Sequence, residues 1–345
     1  MAESPLRFSV LDLAQHAERW GFHRYWFAEH HNMPGIASSS PAVLLAHVAS
    51  VTSTIRVGSG GVMLPNHASL VIAEQFGMLE ALHPGRVDLG LGRAPGTDPL
   101  TARALRRSAN AGMADDFPEQ LIELFGYFGG TFPADHPYRH IHATGRGNRP
   151  DIWLLGSSDY SARAAGQLGL PFSFAHHFAP GGTVAAVEVY RESFRPSDDL
   201  AEPYVMLGVA AVAADTEERA RYLAAPGGLG FLRLRQGRPA PYPTPEEAAA
   251  FNYTPAEKDA IRSWTASHVI GDPEQVEAGL LDLAYRTGAD ELMITTMVSP
   301  HEERVRSYEI IAGLAEASPR SVRRPATPAS SDDEQNSERV TVSRP

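Results

Sequence analysis

The amino-acid sequence predicts an α/β fold, a parallel (β/α)8 TIM barrel, on three observations. Short β-rich runs alternate with amphipathic helical runs along most of the chain, the pattern of a parallel sheet with crossover helices. Eight strands can be counted, the number at which such a sheet closes. The length of 345 residues, 43% of them hydrophobic, is enough to bury a large core. An open doubly wound sheet is the structural alternative, because periodicity does not report closure.

The elements follow in order. A strand is expected near Arg7–Val10 and a second over Arg24–Ala28. Ser40 and Pro41 read as the N-cap and first residue of a helix with Leu44, Val48 and Val51 on one face. Ile55–Leu64 is the next strand; its helix carries Ile72, Phe76 and Leu79 and ends at Pro84-Gly85. Val87–Gly92 is a strand, and Asp116 and Pro118 open a helix that turns Leu121, Leu124, Phe125 and Phe128 inward. The alternation continues with strand Ile152–Gly156, helix Ser161–Leu168, strand Phe172–His176, helix Val184–Phe194 and strand Val205–Ala213. Asp272-Pro273 starts a helix that Gly288 ends, strand Glu291–Thr296 follows, and His301–Ala315 closes the domain. Two segments depart from this pattern. Pro226–Pro255, rich in Pro and Gly, reads as an excursion over one mouth of the barrel, and Ser318–Pro345 reads as a disordered tail beyond a domain spanning 1–317.

Composition removes several functions. A formal charge of -11 opposes binding to nucleic acid or anionic lipid. The absence of cysteine excludes disulfides, thiol nucleophiles and Cys-ligated metals, so redox chemistry needs a borrowed cofactor. Met1–Leu13 lacks the apolar core of a signal peptide, and no stretch approaches the roughly 18 apolar residues of a spanning helix, so a cytoplasmic protein is expected.

In a parallel βα protein the working residues sit at the carboxyl ends of strands. Glu29-His30-His31-Asn32, after the second strand, offers a general base with a partner to orient it. A zinc site is the rival, ranked lower without an H-E-x-x-H helix; a polar loop with hydrogen-bonded histidines is the bland reading. Gly60 and Gly61 interrupt an apolar strand, as at a bulge or where backbone approaches a ligand; a packing glycine is the alternative. Gly90-Leu91-Gly92-Arg93-Ala94-Pro95-Gly96 fails the dinucleotide fingerprint, since its spacing is G-x-G-x-x-x-G and Pro95 interrupts it. Arg93 can pair with a phosphate or form a surface salt bridge. Gly156, Ser157, Ser158 and Tyr160 stand at a helix start, where backbone N–H groups and hydroxyls suit a phosphate, although Ser and Asp are also common caps. His176-His177 adds a polar pair, read as rim histidines.

Trp26-Phe27-Ala28-Glu29-His30-His31, Arg56–Pro65, Ala73-Glu74-Gln75 and His83–Arg93 together, in this order and spacing, resemble the luciferase-like monooxygenase family. The resemblance is densest over Ala14–Arg107 and continues more weakly to the strand at Asp290–Thr296. It implies a barrel that binds FMN, or in some branches F420, at its carboxyl-end mouth. It implies His30 as the catalytic base, Gly60-Gly61 as the bulge on which the ring rests, often a cis peptide, and Arg93 and Ser157 as phosphate contacts. The implied reaction oxygenates a small organic substrate with O2 through a C4a-(hydro)peroxide of reduced flavin, which a separate reductase supplies, and a homodimer is usual. An F420-dependent dehydrogenase and a non-catalytic flavin-binding relative are the alternatives. One departure concerns the first strand: Arg7–Leu11 runs almost directly into the helix at Ala14–Glu18, which shortens the first βα loop of the resemblance.

Overall fold

A computed structural model describes residues 5–106, 116–130 and 132–317. The expected tail at 318–345 lies outside the described residues.

Among the described residues eight strands form one curled, all-parallel sheet: β1 (Arg24–Phe27), β2 (Arg56–Met63), β3 (Val87–Gly92), β4 (Asp151–Gly156), β5 (Phe172–Phe174), β6 (Val205–Ala213), β7 (Val269–Gly271) and β8 (Glu291–Thr295). Neighbours pair in the order β1-β2-β3-β4-β5-β6-β7, and β8 pairs with β6. β6 serves two partners in sequence along its length: Met206–Ala210 runs beside β8 and Ala211–Ala213 beside β7. Parallel strands with helices outside bury both faces, which is why β3, Val-Asp-Leu-Gly-Leu-Gly, is buried at every residue.

Among the described residues twelve α-helices accompany the sheet, and local sequence explains where several begin and end. α2 (Pro41–Ala49) has proline in its first turn, where the missing N–H costs no helical bond. α11 (Pro273–Thr287) opens on a reciprocal capping box between Asp272 and Gln275, and it ends at Gly288 in the left-handed conformation with φ of 60°. The barrel-facing and helix-facing apolar sides meet in a continuous core that includes Phe76, Leu89, Leu91, Leu154, Phe172, Phe174 and Tyr190, all fully buried.

The first expected strand is corrected. Residues Pro5–Arg19 form α1, a helix whose Leu13, Ala14 and Ala17 are buried on one face, so Arg7–Val10 lies in a helix and no βα loop follows it. The strand count reaches eight through β7 instead. The excursion is also partly corrected: α8 (Glu217–Arg235) continues through Pro226, and α9 (Pro245–Ala250) and α10 (Pro255–Thr265) each start with a capping box. Pro226 is buried in that helix, so packing overrides the local breaker.

The amino ends of the strands are tied by ions. Asp88 on β3 is fully buried and accepts from Arg24 at 2.7 Å, Trp26 Nε1 at 2.8 Å and Arg56 at 2.6 Å. Arg24 also reaches Glu291 on β8 at 2.8 Å, linking the first strand in the chain to the last. This leaves the carboxyl ends free for chemistry.

Candidate functional site at the carboxyl ends of the strands

β1 ends in the run Glu29-His30-His31. Glu29 is fully buried, yet its carboxylate is richly hydrogen-bonded. Oε1 accepts from His31 Nε2 at 2.9 Å and His67 Nε2 at 2.8 Å; Oε2 accepts from the Met63 backbone N–H at 3.1 Å. Asn66 Nδ2 approaches Oε1 at 3.4 Å and donates to the Pro95 carbonyl at 2.8 Å. Burial disfavours the charge, but the bonds from His67, His31 and Met63 outweigh it and hold the Glu29 carboxyl below its ordinary range. Since an ionised carboxylate only accepts, Nε2 of both histidines carries a proton.

His30 is turned the other way. Its Nδ1 lies 3.2 Å from the Gly96 carbonyl and its backbone N–H donates to Ser38, so Nδ1 is protonated in the neutral ring and Nε2 is left as a base. The nearby Asn32 takes a positive φ of 55° and donates to Asp98 at 3.0 Å, which sets the turn.

On β2, Gly60 and Gly61 fall where the ladder to β3 shifts register, between Gly60↔Gly90 and Val62↔Leu91, and the peptide bond joining them is cis. A Cβ on Gly61 would come within 2.7 Å of the Gly90 carbonyl, and one on Gly60 within 3.0 Å of the Trp26 ring. Packing therefore demands both glycines, which satisfies the bland reading and at the same time leaves bare peptide at the bulge.

β3 delivers Arg93 to the same end. Its guanidinium stacks 4.1 Å over the Tyr160 ring, and none of the ion pairs among the described residues involves it. Tyr160 belongs to α6 (Asp159–Leu168), which follows β4 through Gly156, Ser157 and Ser158. Both serines are exposed, and Ser158, at the cap position, makes no side-chain capping bond. A cation, two hydroxyls and a helix N-terminus thus converge without being consumed by one another. After Gly92 no helix begins until α4 (Pro99–Arg106), so the glycines of β3 do not open a dinucleotide-binding helix.

β5 ends in His176-His177. His176 Nδ1 lies 2.7 Å from Thr183 Oγ1, and His177 Nδ1 lies 3.1 Å from the Gly208 carbonyl. The segment between α8 and α10 crosses these strand ends: Tyr242 donates to the Met297 carbonyl at 2.6 Å, beyond β8, and the backbone of Ala240 and Tyr242 lies against Gly35, beyond β1. A shallow cavity of about 270 Å3 lined by Ala225, Tyr253 and Ile261 touches none of the strand-end residues.

The family model for luciferase-like monooxygenases matches residues 5–291. The chain belongs to the luciferase-like monooxygenase family. It is 55% identical to the uncharacterized protein YvbT of Bacillus subtilis (strain 168), over 88% of this chain and 89% of that one. It is 44% identical to a luciferase-like monooxygenase of Escherichia coli (strain K12), over 89% and 90%. The solved structure of apo-MsnO8 superposes with a TM-score of 0.79 at 36% identity, covering 91% of this chain and 94% of that one. More distant chains share the fold: the oxygenating constituent of 3,6-diketocamphane monooxygenase from Pseudomonas putida in complex with FMN (TM-score 0.66, 19% identity, covering 90% of this chain and 93% of that one) and an F420-dependent tetrahydromethanopterin reductase from Methanopyrus kandleri (TM-score 0.64, 18% identity, 90% and 94%).

For this family member, the sequence-predicted residues His30, Arg93, Gly156, Ser157 and Ser158 lie at the carboxyl ends of β1, β3 and β4 or in the turns after them, Gly60 and Gly61 lie in the second half of β2, and Tyr160 lies in the first turn of α6. Sequence reasoning missed His67 and Asn66, which stand in the turn after β2 and bind Glu29 and Pro95. The polar pair following Leu64-Pro65 at a strand end was the available signal. Among the described residues no three His, Asp or Glu side chains could hold a metal ion, and no helix is long and apolar enough to cross a membrane.

Proposed function

We propose that this chain is a flavin-dependent monooxygenase that takes up reduced FMN from a separate reductase and transfers one oxygen atom of O2 to a small organic substrate. The observation that carries the reading is the stacking of Arg93 on Tyr160 at 4.1 Å, which brings a cation to the start of α6 beside Ser157 and Ser158. That donor set has the chemistry of a phosphomonoester site: a delocalised cation, hydroxyl donors and helical N–H groups. The bare bulge at Gly60-Gly61 on β2, two strands from α6, is where a planar ring would lie.

When bound, reduced FMN supplies the two electrons that activate O2. The chain's own residues do the rest. Arg93, Ser157, Ser158 and Tyr160, together with Gly156, hold the phosphate end; Gly60 and Gly61 support the ring; and His30, with Nδ1 committed to Gly96, moves a proton at Nε2. Glu29 is not the base, because its oxygens are taken by His31, His67 and Met63; it positions the rim. The segment around Tyr242 excludes water from the mouth.

Anaerobic titration with FMNH2 and with reduced F420, followed by admission of oxygen, tests the reading. Tight binding of FMNH2 with oxygen uptake on addition of substrate is expected. Binding and turnover of F420 with no oxygen uptake would replace it with a deazaflavin-dependent dehydrogenase.

A further inference from the structure

The half of the mouth built by β5 and β6 holds a second fixed imidazole. Both the backbone N–H and the ring Nδ1 of His177 meet the carbonyl of Gly208, at 2.9 and 3.1 Å. A carbonyl only accepts, so the proton of the neutral ring is on Nδ1 and Nε2 carries a lone pair. Gly208 is the one glycine of β6, a strand otherwise made of Val, Met, Leu and Ala. The reason is steric: a Cβ there would approach His177 Nδ1 to 2.8 Å and Cε1 to 3.0 Å. The bare strand is the seat of the ring.

The surroundings keep this ring neutral. Burial pushes His177 down to about 4; the Gly208 carbonyl opposes that, while His268, His176 and His30 reinforce it because each can only add positive charge. His268, on the turn before β7, has a buried Nε2 without a partner and is itself pushed down by burial. His176 is lowered by burial, Arg286 and His268. Near neutral pH the rim opposite β2 therefore presents an acceptor.

We propose that His177 reads the oxidation state of the flavin, accepting through Nε2 a hydrogen bond from a ring N–H that the reduced flavin carries and the oxidised flavin lacks. The inference rests on the flavin reading above. Two-electron reduction adds protons to ring nitrogens that are acceptors in the oxidised form, so a fixed lone pair favours the reduced ring and disfavours the oxidised one. Glu29 cannot serve, being buried and occupied, and His30 is assigned the proton transfer. Such a preference suits an oxygenase that must collect reduced flavin from another protein without filling with the spent form.

Full-length protein, titrated anaerobically with FMN and with FMNH2, gives the ratio of the two dissociation constants. The parent is expected to prefer FMNH2. His177→Phe should lower that preference about tenfold, the worth of one hydrogen bond, mostly through weaker FMNH2 binding. His177→Gln, which keeps an acceptor oxygen, should recover part of it, and Gly208→Ala, which displaces the ring without removing it, should lose it in part. An unchanged ratio in His177→Phe overturns the inference while leaving flavin binding intact. Should that variant fail to fold, an unchanged ratio in Gly208→Ala does the same. If the parent binds neither form, the flavin reading falls and takes the inference with it.

Discussion

Replacing Glu29 by Gln keeps the shape of the side chain and removes its charge, and the structure sets the cost. Oε1 accepts from His31 and His67 at 2.9 and 2.8 Å, and Oε2 accepts from Met63 N–H at 3.1 Å. With the amide oxygen at the first position, two charge-assisted bonds become neutral, each weaker by about 1 kcal/mol. The amide NH2 then faces the Met63 N–H, orphaning a buried donor at about 1–3 kcal/mol. The expected loss is about 3–5 kcal/mol. Urea unfolding at pH 7 measures it. Because the folded carboxyl sits below its ordinary 4.5, its contribution is complete above that value and lost as pH falls through the lower folded one. The gap between parent and Glu29→Gln should therefore narrow on the acid side. A loss under about 0.5 kcal/mol at pH 7, the scale of ordinary surface changes, would refute the claim that this carboxylate anchors the rim.

Other predictions follow from the same geometry. Asp88→Ala removes the shared acceptor of Arg24, Arg56 and Trp26 and should cost about 3–5 kcal/mol in denaturant unfolding, with flavin affinity changed far less than stability. His177, held at about 4 against 6.5 in the unfolded chain, favours folding in its neutral form; stability is complete above 6.5 and declines by up to about 3 kcal/mol as pH falls to 4, a slope that His177→Phe should reduce. Arg93→Ala should weaken FMN binding roughly tenfold to a hundredfold and riboflavin binding little, since the guanidinium is assigned to the phosphate; equal losses for the two ligands, measured by fluorescence quenching, would remove that assignment.

Local signals account for what the sequence disclosed of the fold. Pro41 marks the start of one helix by its place in the first turn, and Asp272-Pro273 with Gly288 mark both ends of another through capping and backbone conformation, and these act within a few residues. Pro5–Arg19 was harder, because Arg7-Phe8-Ser9-Val10 alternates like a strand while the buried Leu13, Ala14 and Ala17 that fix it as a helix come later. β7 has three residues, too few for any period to show. Pro226 lies inside a helix because α8 packs against β6, β7 and α10, information that no local window holds. The places of His30, Arg93 and Ser157 just after β1, β3 and β4 were readable from the alternation of strands and helices. His67 was not: its partner Glu29 is 38 residues away, and a contact of that span leaves no periodic trace.

The two ends of the sheet handle charge in opposite ways, within a chain whose formal net charge is -11. At the amino ends, Arg24 and Arg56 are shared among the three carboxylates of Asp88, Asp151 and Glu291, so both cations there are consumed by local ion pairs. At the carboxyl ends the buried anion is Glu29, and its field is spent on His31, His67 and a backbone N–H. Arg93 stacks on an uncharged ring, and the imidazole of His177 leans on a carbonyl. Among the described residues, the carboxyl ends thus keep the Arg93 guanidinium outside the ion pairs, while the buried carboxylate of Glu29 is locally compensated. Local arrangement, more than net charge, decides which ions a site admits, because exposed charges farther away than about 10 Å are screened by salt.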